Sequence, residues 1–354
     1  MALSIPKVVH QWTVGDGEGF DALHYSEQPL PELGDSQVLV KCEFDSEWLL
    51  KYRDLMIAQG KSIHPVAPNV IPGSDGAGTV VEVGKHVRRF TPGDRVVTAF
   101  FQDYVGGPFQ LSAAVSALGG ALDGTLRTYG AFNEQGLVRI PSILSSLEAS
   151  TLTCAGVTAW SALFGLSDYR VGAGKWVLTQ GTGGVSVFAL QFAKAVGARV
   201  VATTSSSDKI DFLKGLGADH VINYKEDAEW GTTAKALTGG SGFDHIVEVS
   251  GPVSMRQSLK AVAIGGVINI VGYLGGSNGD QPSFSDCFQH RCIVRPIAVG
   301  SRVVLEELCR AIEANPEKLR PVIDPKVFPM EQLKEACEYQ WLGKHKGKVC
   351  VEIS

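Results

Sequence analysis

The chain has 354 residues, of which 44% are hydrophobic and 19% charged, and its formal net charge is −5 at pH 7. This length suits two domains that each bury a core, and the composition is that of an ordinary globular protein. The acidic balance, without basic runs or aromatic ladders, argues against a nucleic acid as the partner. We therefore expect a small-molecule substrate.

Targeting and membrane signals are lacking. The start of the chain, MALSIPKVVHQW, has no basic segment followed by a long apolar core, and no run of about 18 apolar residues predicts a membrane span. We therefore expect a cytoplasmic protein without membrane contact. The seven cysteines contain no CxxC pair, which indicates neither a disulfide framework nor a zinc knuckle.

The pattern of predicted strands and helices changes twice along the chain. Short β-rich runs at 37–44, 78–83 and 95–99 predict a β-dominated first third. From residue 171 onward strands alternate with helices, which predicts a parallel, doubly wound sheet. The predicted strands of this sheet are 176–180, 199–203, 219–223, 244–249 and 267–271, with helices at 187–196 and at 209–216, the latter capped by Asp208. After residue 296, helices at 304–313 and 330–342 and a strand at 347–353 are expected to rejoin the first domain.

A glycine-rich turn follows the first strand of the alternating region. It reads GTGGVS and consists of Gly181, Thr182, Gly183, Gly184, Val185 and Ser186. A strand, a tight glycine turn and a helix in this order bind phosphate, because free backbone N–H groups and the helix dipole favour an anion. The turn therefore predicts a dinucleotide site.

The end of the next strand predicts which dinucleotide binds. An acidic residue at this position would bind the ribose 2′-hydroxyl of NAD, but the chain has Thr204, Ser205 and Ser206, followed by Lys209. NADPH is therefore the predicted cofactor. The alternative is a polar turn that only precedes the next helix. Tyr224, at the end of the third strand, either contacts the adenine side of the cofactor or is a surface tyrosine.

Several segments together resemble the medium-chain dehydrogenase/reductase superfamily over almost the whole chain. They are KYRDLM at 51–56, IPGSDGAGTVVEVG at 71–84, GDRV at 93–96, CAGVTAW at 154–160, the GTGGVS turn, GADHVINY at 217–224 and GKVCV at 347–351. The resemblance implies an α/β protein with a chaperonin-like (GroES-like) β-rich catalytic domain, 1–150 and 296–354, and a Rossmann doubly wound parallel sheet in a nucleotide-binding domain, 151–295. It further implies an active site in the cleft and a possible homodimer.

Zinc-dependent members of the family hold the metal with an early cysteine, a His–Glu pair after Pro–Gly, and a later Cys or Asp. Here Lys51 stands at the first position, Ser74 and Asp75 replace the pair, and only Cys154 is retained. One thiolate does not make the three-ligand catalytic site that Zn²⁺ requires. Structural zinc is also not expected, because no cysteine lies between Cys42 and Cys154. We therefore predict no metal, and we expect Cys154 to be a small buried residue.

Without a metal, an organic group must stabilise the charge that develops during hydride transfer. By the resemblance, Tyr52 lies near the nicotinamide, and its phenol is the predicted hydrogen-bond donor to the substrate. Lys51 is a second catalytic candidate, as a proton donor with a lowered pKa, but a solvated lysine or one paired with Asp54 or Asp75 is an equal alternative. Arg53 and Asp54 are expected to fix the loop.

Other predicted cofactor contacts follow from the resemblance alone. Thr158 is placed on the nicotinamide side, and two loops are expected to cross the cofactor. The loop residues are Gly272, Tyr273, Val299, Gly300, Ser301 and Arg302. For Arg302 the alternative is a surface arginine.

The leading functional hypothesis is a zinc-independent, NADPH-dependent reductase of activated C=C bonds in enones, enoyl compounds or quinones. Such acceptors spread negative charge onto a conjugated oxygen, so they need less electrophilic help. A group of aromatic residues is suited to line a pocket for a flat substrate. The alternative is that these residues only form part of the hydrophobic core. They are Trp48, Phe100, Phe101, Tyr104 and Phe109. The alternatives are a metal-free carbonyl reductase or alcohol dehydrogenase, and a catalytically silent NADPH-binding protein.

Overall fold

The structure, a computed structural model, describes residues 5–42, 47–49, 52–274 and 281–353, with the side chains of 47–49 and 284 outside the description. The chain divides into two compact units. The β-rich unit comprises Met1–Cys154, Gly300–Pro316 and Arg320–Ser354. The parallel-sheet unit comprises Ala155–Val299 with Glu317–Leu319.

The strands within the described ranges are three to nine residues long. In chain order they are β1 Val8–Val14, β2 Leu23–Pro29, β3 Gln37–Lys41, β4 Glu47–Leu49, β5 Ala77–Val83, β6 Arg95–Thr98, β7 Tyr129–Asn133, β8 Leu137–Arg139, β9 Trp176–Gln180, β10 Arg199–Thr204, β11 His220–Asn223, β12 Phe243–Glu248, β13 Val262–Ile270, β14 Ile293–Pro296, β15 Ile323–Pro329 and β16 Lys348–Glu352.

The helices are mostly short, and none within the described ranges is both long and apolar enough to cross a membrane. In chain order they are α1 Tyr52–Ala58, α2 Leu111–Ala114, α3 Ser146–Ser150, α4 Val157–Phe164, α5 Gly184–Ala195, α6 Ile210–Gly215, α7 Trp230–Leu237, α8 Pro252–Ala261, α9 Phe284–His290, α10 Arg302–Ala314, α11 Pro316–Leu319 and α12 Leu333–Trp341. A π-helical segment, Leu152–Gly156, precedes α4.

The parallel-sheet unit contains one six-stranded sheet in the order β11-β10-β9-β12-β13-β14. Every neighbouring pair is parallel. Its central strands are buried on both faces, and their apolar side chains form a core around Leu178, Val201, Phe243 and Ile268. This strand order is that of the Rossmann fold, so the predicted fold class is confirmed. The homodimer stays a prediction.

The β-rich unit is built from three sheets. A five-stranded antiparallel sheet has the order β7-β3-β5-β6-β8, and smaller sheets pair β1 with β2 and β15-β16-β4. Val38 and Val40 alternate along β3 toward a core shared with Phe90 and Phe132. The two ends of the chain meet here, because the indole N–H of Trp12 donates to the carbonyl of Met330 at 2.9 Å, across 318 positions.

One predicted helix needs correction, and one strand was not predicted. The helix expected over 209–216 is shorter, α6, and follows a 3-10 turn over Ser207–Lys209, so Asp208 lies inside that turn and does not cap the helix. Local serine and aspartate hydrogen bonds compete with helical geometry there. The strand β14 was absent from the prediction, because its four residues carry no period-two pattern of their own.

A polar network lies inside the parallel-sheet unit. His245 on β12, which is 3% exposed, donates from Nε2 to the carbonyl of Tyr169 at 2.5 Å and accepts at Nδ1 from Asn269 at 3.4 Å. Arg295 in turn donates to Asn269 at 2.8 Å and to the carbonyl of Ser161 at 2.7 Å, near the end of α4. Burial lowers the pKa of His245, against the opposing effect of the Tyr169 carbonyl.

This lowered pKa predicts a pH dependence of stability. The unfolded chain takes up a proton at His245 below about pH 6.5, whereas the folded chain does so only at lower pH, so the free energy of unfolding falls as the solution is acidified. We expect His245→Gln, which retains an N–H donor toward Tyr169, to flatten that fall. Urea unfolding between about pH 7.5 and 5 measures this slope, with His64→Gln, at an exposed histidine, as control. An unchanged slope in the His245 variant contradicts the expectation.

Candidate active site

The glycine turn has an open surface suited to a phosphate. Gly181 adopts φ +77°, a conformation that glycine reaches without strain. An added Cβ at Gly181 or Gly183 would meet no atom within 4 Å. Gly183 is the N-cap of α5 and has no side-chain cap, so the backbone N–H groups of the first helical turn remain for a ligand. The residues present therefore fit the pyrophosphate of a nicotinamide nucleotide.

The turn is anchored on both sides. The N–H of Gly181 donates to the carbonyl of Thr203 on β10 at 2.7 Å. The Ser186 hydroxyl donates to the carbonyl of Gln180 at 2.6 Å, which ties the first turn of α5 to the end of β9. Gly184 and Val185 form the start of this helix. The backbone geometry is thus set before a ligand binds, and this lowers the cost of binding.

The end of β10 carries the residues predicted to select the cofactor. Thr204 is 1% exposed, and its hydroxyl accepts from the N–H of Ser206 at 3.3 Å. Ser205 is exposed, and Lys209 is half-buried. Tyr224 lies next to this strand end, since its N–H donates to the carbonyl of Thr204 at 3.0 Å, and its side chain is 39% exposed.

Two carboxylates lie at the same strand end: Asp208, which the sequence suggested only as a helix cap, and Glu226, which the sequence did not suggest. Asp208 accepts a short hydrogen bond from the Ser206 hydroxyl. Glu226 accepts from the Ser207 hydroxyl at 3.0 Å and from Asn223 Nδ2 at 2.6 Å. The strand order supplies the missing signal: β11 pairs with β10, so the residues that follow β11 meet the residues that follow β10.

The other predicted cofactor contacts in the parallel-sheet unit differ in exposure. Thr158 is buried within α4, at 5% exposure. Gly272 follows β13, and an added Cβ there would lie 2.7 Å from the carbonyl oxygen of Val249. Tyr273 is 59% exposed. Only Tyr273 therefore presents a large accessible side chain.

The segment Val299 to Arg302 spans a unit boundary along the chain. Val299 has φ +54°, which is strained for a β-branched residue. Gly300 follows, and Ser301 caps α10 by accepting from the N–H of Val304 at 3.3 Å. The Arg302 side chain is 13% exposed, binds Gln135 and lies 3.4 Å from Glu306. Arg302 is thus engaged inside the β-rich unit and is not a surface arginine.

Tyr52 begins α1 and stacks on Trp341 of α12. The ring centroids are 5.8 Å apart and the planes differ by 6°. Tyr52 is 36% exposed, and its hydroxyl forms no hydrogen bond within the part of the chain that the structure describes. The stack holds the ring while the phenol stays accessible to a ligand. Lys51, the other catalytic candidate, lies outside the described residues.

Arg53 and Asp54 hold α1 in place. The Arg53 guanidinium donates to the carbonyl of Leu118 and lies 4.5 Å from the centroid of the Phe100 ring. Asp54 is 3% exposed and faces α12, where burial and then the charge of Asp54 raise the pKa of the Cys337 thiol. The Arg53 contacts tie α1 to Leu118 and Phe100, and the loop-fixing role of the pair stays a prediction.

The aromatic residues of the region after β6 form one cluster. Phe101 contacts Phe100, Tyr104 and Phe109, with centroid distances of 4.6, 6.3 and 5.1 Å. Phe100 and Phe101 are both buried, so they are core, whereas Phe109 is 41% exposed. The side chain of Trp48 lies outside the described residues. Tyr104 and Phe109 are therefore the members available to a substrate.

The positions of the family's zinc ligands hold a different arrangement. The Ser74 hydroxyl donates to Asp75 Oδ1 at 2.5 Å, and Lys348 Nζ lies 3.8 Å from Asp75 Oδ2, all three residues being buried. A cation already neutralises this carboxylate. Cys154 is half-buried, not buried as expected. No group of three or more His, Cys, Asp or Glu in the described ranges is arranged to hold a metal, and these residues do not fit zinc.

Comparison with known proteins identifies the family. The model of the alcohol dehydrogenase GroES-like domain matches residues 34–142, and that of zinc-binding dehydrogenases matches residues 184–314. The chain belongs to the medium-chain dehydrogenase/reductase superfamily.

Full-length relatives are similar over nearly the whole chain. A zinc-type alcohol dehydrogenase-like protein of Schizosaccharomyces pombe is 43% identical over 95% of this chain and 96% of its own length. The chloroplastic quinone-oxidoreductase QR1 of Triphysaria versicolor is 31% identical, over 96% of both chains. The protein is therefore an oxidoreductase of this superfamily that uses a nicotinamide cofactor.

Two crystal structures are similar in fold as well as sequence. A protein of Sinorhizobium meliloti 1021, assigned as an alcohol dehydrogenase, has a TM-score of 0.88 and 38% identity, over 99% of this chain and all 100% of its own. An NAD-dependent alcohol dehydrogenase has a TM-score of 0.85 and 30% identity, over 98% of this chain and 100% of its own.

The zinc-ligand positions give a direct prediction. We expect the purified protein to hold far less than stoichiometric zinc, because Lys348 balances Asp75 and Ser74 is not a ligand that zinc prefers. Atomic absorption measures the metal, and turnover before and after chelation with subsequent zinc addition measures dependence. A stoichiometric metal whose removal abolishes turnover contradicts this prediction.

Proposed function

We propose that the protein is a zinc-independent, NADPH-dependent reductase of activated C=C bonds in enones, enoyl compounds or quinones. The observation that carries the proposal is the Tyr52 phenol, held by Trp341, accessible, and without a hydrogen-bond partner among the described residues. A positioned O–H donor takes the place that a metal has in zinc-dependent enzymes.

In this proposal the chain's own groups bind and polarise the substrate. The bound nicotinamide supplies the hydride. Tyr52 donates a hydrogen bond to the substrate oxygen, on which negative charge accumulates. Tyr104 and Phe109 offer aromatic surface to a flat acceptor, and their rings lie 5.2 Å apart. The similarity to a quinone oxidoreductase supports this substrate class.

The proposed preference for NADPH reflects a balance between one positive and two negative side chains near the end of β10. Thr204 at the end of β10 leaves no carboxylate at the position that favours NAD, and Lys209 adds a positive charge. Asp208 and Glu226 act against a 2′-phosphate, but they already accept hydrogen bonds from Ser206, Ser207 and Asn223. We therefore propose a modest preference, about fivefold in Kd.

A metal-free alcohol dehydrogenase or carbonyl reductase is the second candidate. The relatives that are named alcohol dehydrogenases favour it. A single phenol stabilises an alkoxide less well than a metal does, and an isolated carbonyl places its whole charge on one oxygen. An enone or quinone spreads that charge, which is why we place the activated C=C bond first.

Parallel turnover assays separate the candidates. We expect NADPH oxidation with a cyclic enone and a quinone, and much slower oxidation with a saturated aldehyde, because the Tyr52 phenol polarises the oxygen less strongly than a metal does. Product analysis of the enone reaction shows whether the C=C or the C=O bond is reduced. Activity on the aldehyde alone assigns the protein to the alcohol dehydrogenases. Tight NADPH binding without turnover on any acceptor indicates a silent binding protein.

Tyr52→Phe tests the donor within the same assay. The variant keeps the ring on Trp341 and removes only the hydroxyl, so kcat is expected to fall on the order of 10²-fold with a small change in KM. Tyr169→Phe, at a tyrosine 41% exposed in the parallel-sheet unit, is the matched control. Retention of full kcat in the Tyr52 variant rules the phenol out.

Lys209→Gln tests the cofactor preference. Removing the charge is expected to raise the Kd of NADPH two- to fivefold, roughly the worth of one partly exposed charge pair, and to leave the Kd of NADH unchanged. Lys214→Gln, on the exposed last turn of α6, is the matched control. Cofactor titration by fluorescence gives all the constants. Equal Kd values for both nucleotides in the unaltered protein overturn the preference.

A further inference from the structure

A fully buried carboxylate lies at the end of a central strand of the parallel sheet. Glu248 is the last residue of β12, is 0% exposed, and β12 pairs with both β9 and β13. The glycine turn follows β9, and the loop with Gly272 and Tyr273 follows β13. Glu248 therefore stands between the two strand ends that carry the predicted cofactor segments.

Five donors surround this carboxylate. Its Oε1 accepts from the N–H groups of Ser250 and Gly251, both at 3.0 Å, and from the Ser254 hydroxyl at 2.5 Å. Its Oε2 accepts from Gln180 Nε2 at 2.8 Å and from the Ser258 hydroxyl at 2.5 Å. All five donors are neutral, so the site is built from directed hydrogen bonds to one anion.

The first connection runs to the glycine turn. Gln180, which directly precedes Gly181, donates from Nε2 to Glu248 and accepts at Oε1 from the N–H of Val249 at 3.1 Å. Its backbone carbonyl receives the Ser186 hydroxyl of α5. Glu248 thus fixes the residue from which the phosphate-binding turn begins.

The second connection runs to the loop after β13. The carbonyl of Glu248 accepts from the N–H of Val271 at 2.9 Å, and that of Val249 accepts from the N–H of Leu274 at 3.2 Å. Gly251 adopts φ +80°, and an added Cβ there would lie 3.3 Å from the Gly272 carbonyl oxygen. The turn that Glu248 organises therefore packs directly against the loop with Tyr273.

We propose that Glu248 is a positioning residue for the nicotinamide nucleotide, which locks the glycine turn after β9 and the loop after β13 into one arrangement. It does not touch the reacting atoms. It sets the backbone of two segments that contact different parts of the cofactor, the pyrophosphate at the glycine turn and the nicotinamide side at the loop with Tyr273. Its removal therefore weakens the binding of the whole dinucleotide more than the binding of ADP-ribose, which lacks the nicotinamide.

Binding to the apoprotein tests this inference without turnover. NADH and ADP-ribose differ only by the nicotinamide, so their Kd values separate the two segments, and the test does not depend on the proposed substrate or on NADPH preference. Glu248→Gln keeps the shape but turns an NH₂ group toward other donors. We expect a Kd for NADH raised about tenfold and a Kd for ADP-ribose raised about twofold.

Controls separate positioning from loss of folded protein. Glu229→Gln alters an exposed carboxylate that pairs with Lys260 of α8 at 2.6 Å, and both Kd values are expected to stay unchanged. Gln180→Met removes the hydrogen bond that ties the residue before the glycine turn to Glu248, and it replaces Glu248→Gln if that variant does not fold. Because NADH and ADP-ribose both carry the pyrophosphate, its expected effect is a similar rise in the Kd of each ligand, smaller than the rise for NADH in Glu248→Gln. Equal changes for both ligands in Glu248→Gln, or unchanged Kd values in Gln180→Met, overturn the proposal.

Discussion

The fold depends on the fact that the strands of a parallel sheet all end at one edge, where their loops face one another. Four neighbouring strands end in or are followed by Gly181, Thr204, Glu248 and Gly272. The topology therefore brings these residues together although they are far apart in sequence. The phosphate-binding turn is then no isolated motif. Its geometry is set by hydrogen bonds to Thr203 on one neighbouring strand and to Glu248 on the other.

In the β-rich unit, contacts with residues distant in sequence likewise hold the candidate catalytic tyrosine. The first turn of α1 is held at several points: Tyr52 stacks on Trp341 of α12, Arg53 donates to the carbonyl of Leu118, and Asp54 is buried. Nearby, Asp75 is balanced by Lys348 of the closing strand. The carboxylate at one of the family's zinc-ligand positions therefore lies beside a cation of the protein itself.

The sequence predicted the fold well, because glycine positions, strand alternation and the family segments all depend on local patterns. The glycine turn and β9 lie where the pattern placed them. The sequence did not predict Glu226 beside Ser207, Trp341 under Tyr52, or the donors around Glu248, since each of these contacts joins residues that the topology brings together. The Ser207–Lys209 turn was misjudged because serine and aspartate side chains compete with the backbone for hydrogen bonds.

The bond between Trp12 and Met330 also bears on how the chain acquires its structure during synthesis. The parallel-sheet unit is nearly continuous in sequence, so it completes its core once the chain up to Leu319 has emerged from the ribosome. The β-rich unit has to wait for β15, β16 and α12, which emerge last. Its first 154 residues therefore stay without part of their core for most of translation, and the apolar side chains that later pack on β15, β16 and α12 are exposed on the nascent chain until then.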